Sequence, residues 1–191
     1  MRKSRMEAFS DGVIAIIITI MVLELVAPHE ATPEALLPLT PVLLSYLLSF
    51  VFLAIYWNNH HHLLQTIERV DGRVLWANMH LLFWLSLVPF GTAWLGEHPL
   101  EPWPAALYGT VLLFAAIAYY ILTRALIALH DRDSILEAAV GRDVKGIVSA
   151  VMYLAAIPLS FISAWIAYGL YLLVAIIWLI PDRRIERNLA R

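Results

Sequence analysis

The sequence predicts an all-α integral membrane protein with six transmembrane helices and both termini in the cytoplasm. Of its 191 residues, 61% are hydrophobic and only 15% are charged, whereas about a quarter of the residues in a soluble domain are charged. Six long apolar runs each approach the roughly 20 residues that cross a bilayer as a helix. These runs are too long for β-barrel strands and lack their alternating pattern. Lipid is therefore the expected solvent for most of the chain.

One transmembrane domain over residues 1–191 is expected to contain all six helices. Their approximate bounds are residues 7–26, 39–64, 73–95, 105–129, 144–163 and 164–180. Proline and polar residues separate most of these runs, as they do at helix boundaries. The first run is long and lacks a small-residue cleavage site, so we read it as a retained helix rather than a signal peptide.

The positions of the cations predict the orientation of the helices. All 13 Lys and Arg residues fall into four groups. They precede helix one, lie near the connection between helices two and three, lie near the connection between helices four and five, or follow helix six. The other three connections contain no Lys or Arg. Because cytoplasmic loops carry the excess of cations in membrane proteins, both termini are expected in the cytoplasm. An odd number of helices would distribute the cations over both faces.

Polar side chains inside the apolar runs are the candidates for function, since each is costly to bury in a membrane unless it is paired or hydrated. Asp11 lies more than one turn inside helix one, helix two ends with Trp57 and three histidines, and helix three carries Asn78 near its start. The predicted topology places these three clusters at one depth. They form either a buried hydrogen-bond network that locks the helices together, or groups for ion passage or proton sensing.

Three adjacent histidines also suggest a metal site. Neighbouring positions on a helix point about 100° apart, so His60, His61 and His62 do not hold one ion from a regular helix, and metal-binding pairs usually lie four residues apart. A ligand from another helix, such as His80, would be needed. The chain has no cysteine, which excludes thiolate sites. We therefore expect no resident metal and no cofactor.

Helix one carries a second pattern, in which residues at spacings of three and four share one face. This stripe consists of Gly12, Ile16, Thr19, Ile20 and Leu23. Bulky apolar residues with a single hydroxyl suit a lipid-facing surface or a packed interface. They would also suit a narrow hydrophobic pore, where rings of Ile or Leu control passage by dewetting and the threonine hydroxyl contacts an ion.

The start of helix one resembles a known family. Arg5 is followed, after three residues, by Phe9-Ser10-Asp11-Gly12 at the opening of a first membrane helix. There the chain is similar to the bacterial branch of the lysosomal/endosomal potassium channel family (transmembrane protein 175 type). The similarity extends along helices two and three at Trp57, His61, His62, Asn78 and Pro89-Phe90. The second half of the chain matches only in hydropathy.

The resemblance implies a channel without the TVGYG filter of ordinary potassium channels, a motif that this sequence lacks. Bacterial members are similar six-helix subunits that form homotetramers, with helix one of each subunit lining a central pore. Carried onto the matching positions, Ile16 would be the narrowest hydrophobic constriction. Ile20 and Leu23 would form further apolar rings, and Thr19 would be the pore hydroxyl that favours potassium. The family's buried network behind the pore helix would comprise Arg5, Ser10, Asp11, Trp57, His61, His62 and Asn78.

We therefore expect a passive, potassium-permeable cation channel in a prokaryotic plasma membrane. Its expected partners are copies of itself, potassium ions and lipid, and not nucleic acid. The alternative is a proton-coupled secondary transporter with Asp11 and the histidines as relay groups. Transporters often contain inverted repeats with interrupted helices. This sequence shows no such Gly/Pro-interrupted pair in corresponding halves, apart from a weak exception at Pro89 and Pro158. An intramembrane enzyme is least favoured, because the sequence shows no nucleophile–base pair and no His-x-x-x-His spacing.

Overall fold

A computed structural model describes residues 3–67, 69–129 and 143–179. Within these ranges the chain forms one 3₁₀ helix, Pro33–Leu39, and seven α-helices. The α-helices are α1 (Lys3–Leu23), α2 (Thr40–Gln65), α3 (Gly72–Ser86), α4 (Val88–Glu97), α5 (Pro102–Leu129), α6 (Val144–Leu159) and α7 (Ala164–Leu179). Because α3 and α4 follow each other within one apolar run, the seven helices make six segments. The all-α, six-segment prediction is confirmed.

The outer surface of the bundle is suited to lipid. Residues 3–23, 33–65, 72–97 and 102–129 are helical, long and apolar enough to cross a membrane, and α6 and α7 are shorter apolar helices of 16 residues each. Large apolar side chains are exposed on several helices, among them Leu47, Phe83, Leu154 and Leu172. Exposed apolar area of this extent marks a surface that contacts lipid or another protein. The chain is a multi-pass membrane protein.

The third segment is interrupted where the sequence pattern predicts a continuous helix over residues 73–95. α3 ends at Ser86 and α4 begins at Val88. Pro89 has no N–H group and its ring clashes with the carbonyl four residues earlier, which breaks a helix at or before the proline. The Leu87 N–H therefore bonds the Trp84 carbonyl, three residues back.

Several other helix ends differ from their predicted positions. α1 begins at Lys3 and ends at Leu23, whereas hydropathy predicts residues 7–26. The start differs because the charged first turn is helical without being apolar. α5 begins at Pro102, and α6 ends at Leu159, against predicted positions 105 and 163. The predicted last residue of helix six, Ile180, lies outside the described residues.

α5 is the central helix of the bundle, and α1 lies at its edge. α5 packs on α3, α4, α6 and α7, and its buried alanines, such as Ala105, Ala115 and Ala118, allow the close approach that membrane helices use. α1 packs on α2, α3 and α4. Its buried residues join a core cluster with α2, α3 and α5, and its opposite side is uncovered in the single chain.

A buried hydroxyl cluster joins α2, α4 and α5. The Thr92 and Ser49 hydroxyl oxygens are 2.6 Å apart, and the Ser49 oxygen is 2.9 Å from that of Tyr108. The Thr92 hydroxyl also lies 2.7 Å from the Val88 carbonyl and 3.8 Å from the Met21 sulfur on α1. No water is available in the hydrocarbon to satisfy such hydroxyl groups, so they bond to one another and to the backbone. Through the contact with Met21, the cluster also links the outer part of α1 to the rest of the bundle.

Replacement of Gly109 by leucine is expected to lower the free energy of unfolding by about 1–3 kcal/mol, the usual cost of overpacking. The Tyr171 hydroxyl donates to the Ala105 carbonyl across 2.8 Å, and a Cβ at Gly109 would meet that hydroxyl and lie 3.0 Å from the ring carbon that bears it. Gly169→Leu on α7 is the matched control, because nothing lies within 4 Å of a Cβ there. Thermal unfolding in detergent measures both, and equal melting temperatures would contradict the prediction.

Candidate functional site

One face of α1 is uncovered along its whole length. The stripe residues Gly12 and Thr19 are exposed, and Ile16, Ile20 and Leu23 have exposed fractions of 58%, 44% and 75%. The opposite face holds the buried residues of the helix, Met6, Ser10, Ile14, Ile17 and Met21. The helix period of 3.6 residues separates the two sets, so the stripe predicted from sequence is a continuous apolar surface without a partner in the single chain.

Thr19 is the one polar side chain on this stripe. Its hydroxyl donates to the Ile16 carbonyl across 2.9 Å, a common arrangement for a helical threonine. Because the proton is directed to the backbone, the oxygen lone pairs remain available to a cation on the exposed side. Gly12, one turn before Ile16, has no atom within 4 Å of a Cβ position, so the stripe is open at that level.

Behind this face, a chain of hydrogen bonds joins α1, α3 and α2. The Ser10 hydroxyl donates to the Met6 carbonyl across 2.9 Å and accepts from the Asn78 amide nitrogen, also across 2.9 Å. The Asn78 oxygen is 2.8 Å from His60 Nε2. Since that oxygen only accepts, His60 carries a proton on Nε2. Ser10, Asn78 and His60 are almost completely buried. The other ring nitrogen of His60, Nδ1, is also buried and has no hydrogen-bond partner among the described residues.

A second set of contacts joins α1 to α2 nearer the cation-bearing end. Trp57 Nε1 donates to an Asp11 carboxylate oxygen across 3.0 Å, and His61 Nδ1 lies 3.5 Å from a Glu7 oxygen. The Trp57 and His61 rings stack with centroids 5.8 Å apart. The Gln65 side-chain nitrogen is 2.8 Å from His61 Nε2 and can only donate, so a neutral His61 ring directs its Nδ1 proton towards Glu7. Glu7 and Asp11, four residues apart on α1, thus face His61 and Trp57, four residues apart on the antiparallel α2.

The structure brings together five of the seven residues expected in the network. Arg5 is exposed and makes no hydrogen bond or ion pair with the others among the described residues. The His62 ring lies 5.7 Å from that of His61, and its buried Nδ1 has no hydrogen-bond partner in the part of the chain that is described. Glu7 and His60 are members that the sequence reasoning missed. Spacing was the available signal for Glu7. Glu7 and Asp11 lie four residues apart on α1, as Trp57 and His61 do on α2, so a contact between Asp11 and Trp57 also brings Glu7 near His61.

The three consecutive histidines point in different directions. His60 bonds Asn78, His61 contacts Glu7 and Gln65, and His62 packs beside His61. His80 accepts from Trp84 Nε1 across 3.0 Å on its own helix. No three His, Cys, Asp or Glu side chains of the described residues are grouped so that they could hold a metal ion. The arrangement is that of a hydrogen-bond network between helices.

The fold and this site define a multi-pass helical membrane protein whose first helix is anchored by polar contacts on one side and uncovered on the other. The sequence profile of the family described as "Endosomal/lysosomal potassium channel TMEM175" matches residues 5–89. That range extends from the start of α1, through the network on α2 and α3, to the break at Pro89.

Full-length relatives cover the rest of the chain. It is 51% identical over 189 residues to a protein of Chryseobacterium sp. that is named a potassium channel, covering 99% of this chain and 98% of that one. A similarly named protein of Chamaesiphon minutus is 36% identical over 90% and 91% of the two chains. The crystal structure of a lysosomal potassium-selective channel TMEM175 homolog from Chamaesiphon minutus superposes with a TM-score of 0.78 at 34% identity, covering 93% and 96%. This chain belongs to the TMEM175 family, which consists of ion channels rather than enzymes, and the family prediction is confirmed.

Proposed function

We propose that this chain is the subunit of a potassium-permeable cation channel of the plasma membrane, and that residues 1–191 act as one six-helix unit. Four copies surround a central pore that α1 of each copy lines. The observation that carries this proposal is the uncovered apolar stripe of α1, since a closed ring of identical subunits brings four such stripes around one axis. Potassium as the ion is supported by the bacterial relatives, which are named potassium channels, and by the solved homolog, which is described as potassium-selective.

Ile16, Ile20 and Leu23 would form successive apolar rings in this pore, with Ile16 as the narrowest. Apolar rings control conduction because water leaves a narrow hydrophobic passage and the ion then loses its hydration. Thr19, one turn beyond Ile16, supplies a ring of hydroxyl oxygens next to the constriction. Side-chain rings give fewer ion contacts than a filter built of backbone carbonyls, so the preference for potassium over sodium is expected to be modest.

The polar network would hold the pore helix in place. Ser10 and Asp11 lie on α1 just before the constriction and bond α3 and α2, respectively. Because the outer part of α1 contacts the hydroxyl cluster through Met21, the helix is attached to the bundle at two levels. This attachment fixes which side chains face the axis, and it gives Asp11 and the histidines a structural role rather than that of a proton relay.

Potassium flux into vesicles that contain the purified chain tests the proposed function. A channel is expected to give unitary currents in a planar bilayer and a potassium flux that rises with concentration without early saturation. A measurement with potassium on one side and sodium on the other gives the preference between the two ions. Flux that saturates, remains far below channel rates and requires a proton gradient would instead establish the proton-coupled transporter.

Thr19→Val is expected to lower the potassium-to-sodium permeability ratio at least about fivefold while conduction persists. It removes the hydroxyl of every subunit in the ring, and even a single hydrogen-bonding contact is worth about 1 kcal/mol. Valine has the same shape, so the constriction is preserved. Thr110→Val is the matched control: the Thr110 hydroxyl also bonds a carbonyl of its own helix, that of Ala106 at 2.8 Å, but it lies on α5. Reversal potentials measure the ratio, and an unchanged ratio in Thr19→Val would remove this hydroxyl from the ion path.

A further inference from the structure

A crevice opens between α2, α5 and α6 at the end of the bundle that carries the cations. Its volume is about 290 Å³, and its walls are mostly apolar and aromatic. That volume is near the lower limit of pockets that hold small ligands, and it would take one hydrocarbon chain rather than a whole lipid. None of the stripe or network residues lines it, so the crevice is separate from the proposed pore.

The crevice changes from apolar to polar along its length. At its deep end, the buried rings of Phe52 and Tyr153 meet with centroids 6.2 Å apart. Asn59, near the end of α2, and Asp143, at the start of α6, line the other end. The Asp143 side chain accepts from the Gly146 N–H across 2.8 Å and so caps α6. Its charge is therefore offset by the positive end of the helix dipole.

Cations flank the polar end of the crevice. Tyr120 of α5 lines the crevice, and the exposed Arg124 follows one turn later on the same helix face. Lys145 places its ammonium 5.9 Å from the ring centroid of Trp178, which is another lining residue. Basic pockets between transmembrane helices on the cytoplasmic side recognise anionic lipid head groups. The crevice thus has an apolar depth and two cations beside its rim, while the capping carboxylate of Asp143 is the charged group in its lining. The apolar depth and the adjacent cations match the polarity of such a lipid.

We propose that the crevice binds an anionic glycerophospholipid of the cytoplasmic leaflet. One acyl chain lies between α2, α5 and α6, and the phosphate lies at the rim near Arg124. This inference does not depend on ion conduction and concerns a site outside the pore. Phe52 and Tyr153, at the deep end of the crevice, belong to the core cluster that also contains Tyr108 of α5 and Tyr171 of α7, so a bound acyl chain would contact that core.

Native mass spectrometry of the detergent-solubilised full chain tests the site, with phosphatidylglycerol and phosphatidylcholine of identical acyl chains as probes. The wild type is expected to bind phosphatidylglycerol at least about fivefold more tightly than phosphatidylcholine. Arg124→Gln is expected to remove most of this preference. Ala150→Trp, which fills the crevice from α6, is expected to reduce binding of both lipids. Arg73→Gln removes an exposed cation from α3 and is the matched control that retains the preference.

Equal binding of the two lipids to the wild type would overturn the proposal. So would an unchanged preference in Arg124→Gln, or an equal loss in Arg73→Gln, since the latter would indicate general attraction to the basic surface. Arg124 is exposed, so its substitution decides the question even if Ala150→Trp fails to fold.

Discussion

Ile16→Asn is expected to raise the potassium flux of reconstituted vesicles at least about tenfold and to weaken discrimination among cations. In the proposed ring of four, the substitution replaces four apolar side chains at the narrowest level with amides that retain water. A barrier lower by only about 1.4 kcal/mol increases the rate tenfold, and wetting of a hydrophobic constriction removes part of the cost of dehydrating the ion. Flux and reversal potentials under potassium and sodium gradients measure both effects.

Val22→Asn is the matched control for this experiment. Val22 is also exposed on α1, with an exposed fraction of 45%, but it lies about 120° around the helix from Ile16. The same amide there is expected to leave flux and selectivity near wild-type values. Unchanged current in Ile16→Asn would remove this residue from the constriction, and an equal gain in Val22→Asn would show that polarity anywhere on α1 is sufficient.

Asn78→Ala is expected to destabilise the protein by about 1–3 kcal/mol and to change the ion selectivity. The substitution removes the acceptor of the His60 proton and the donor to the Ser10 hydroxyl. A buried polar group left without a partner costs about 1–3 kcal/mol, although single interhelical hydrogen bonds in membranes average about 0.6 kcal/mol. Selectivity is expected to change as well, because Ser10 lies on the back of the helix whose front carries Ile16.

Thermal unfolding in detergent and reversal potentials measure the effects of Asn78→Ala. Asn58→Ala is the control, since Asn58 is exposed at the same depth on α2 and its loss is expected to change neither quantity. A double-mutant cycle with Ser10→Ala isolates the contact between the two side chains. Additive effects of the two substitutions on stability would show that the Ser10–Asn78 hydrogen bond does not couple α1 to α3.

Much of the candidate site can be read from the sequence, because its signals are local. The stripe on α1 follows from spacings of three and four, and Asp11 is conspicuous because a carboxylate inside an apolar run is costly. The pairing of Asp11 with Trp57 and of Ser10 with Asn78 links residues 46 and 68 positions apart. Their predicted common depth made these contacts plausible, but the rotation of each helix about its axis decided them.

The same dependence on rotation explains where the contacts in the structure differ from the expected network. Arg5 belongs to the family motif, yet it is on the exposed side of α1, whereas Glu7, half a turn further on, faces His61. Of three adjacent histidines, the buried His60 is the one that bonds α3. Adjacent residues differ by about 100° in direction, so a small rotation changes which histidine reaches the neighbouring helix. Composition and spacing contain no measure of that rotation.

The sequence by itself determined that this is a six-segment membrane protein, that its cations gather on one side, and that α1 has an apolar stripe with one hydroxyl. Hydropathy, charge and helix period are properties of short stretches of chain, which is why they can be read without a fold. The tertiary structure decided that the stripe is uncovered, that Glu7 and His60 belong to the network, and that a crevice wide enough for one hydrocarbon chain lies beside α5. These features depend on how helices distant in sequence pack against one another, and that packing is set by the shapes of many side chains at once.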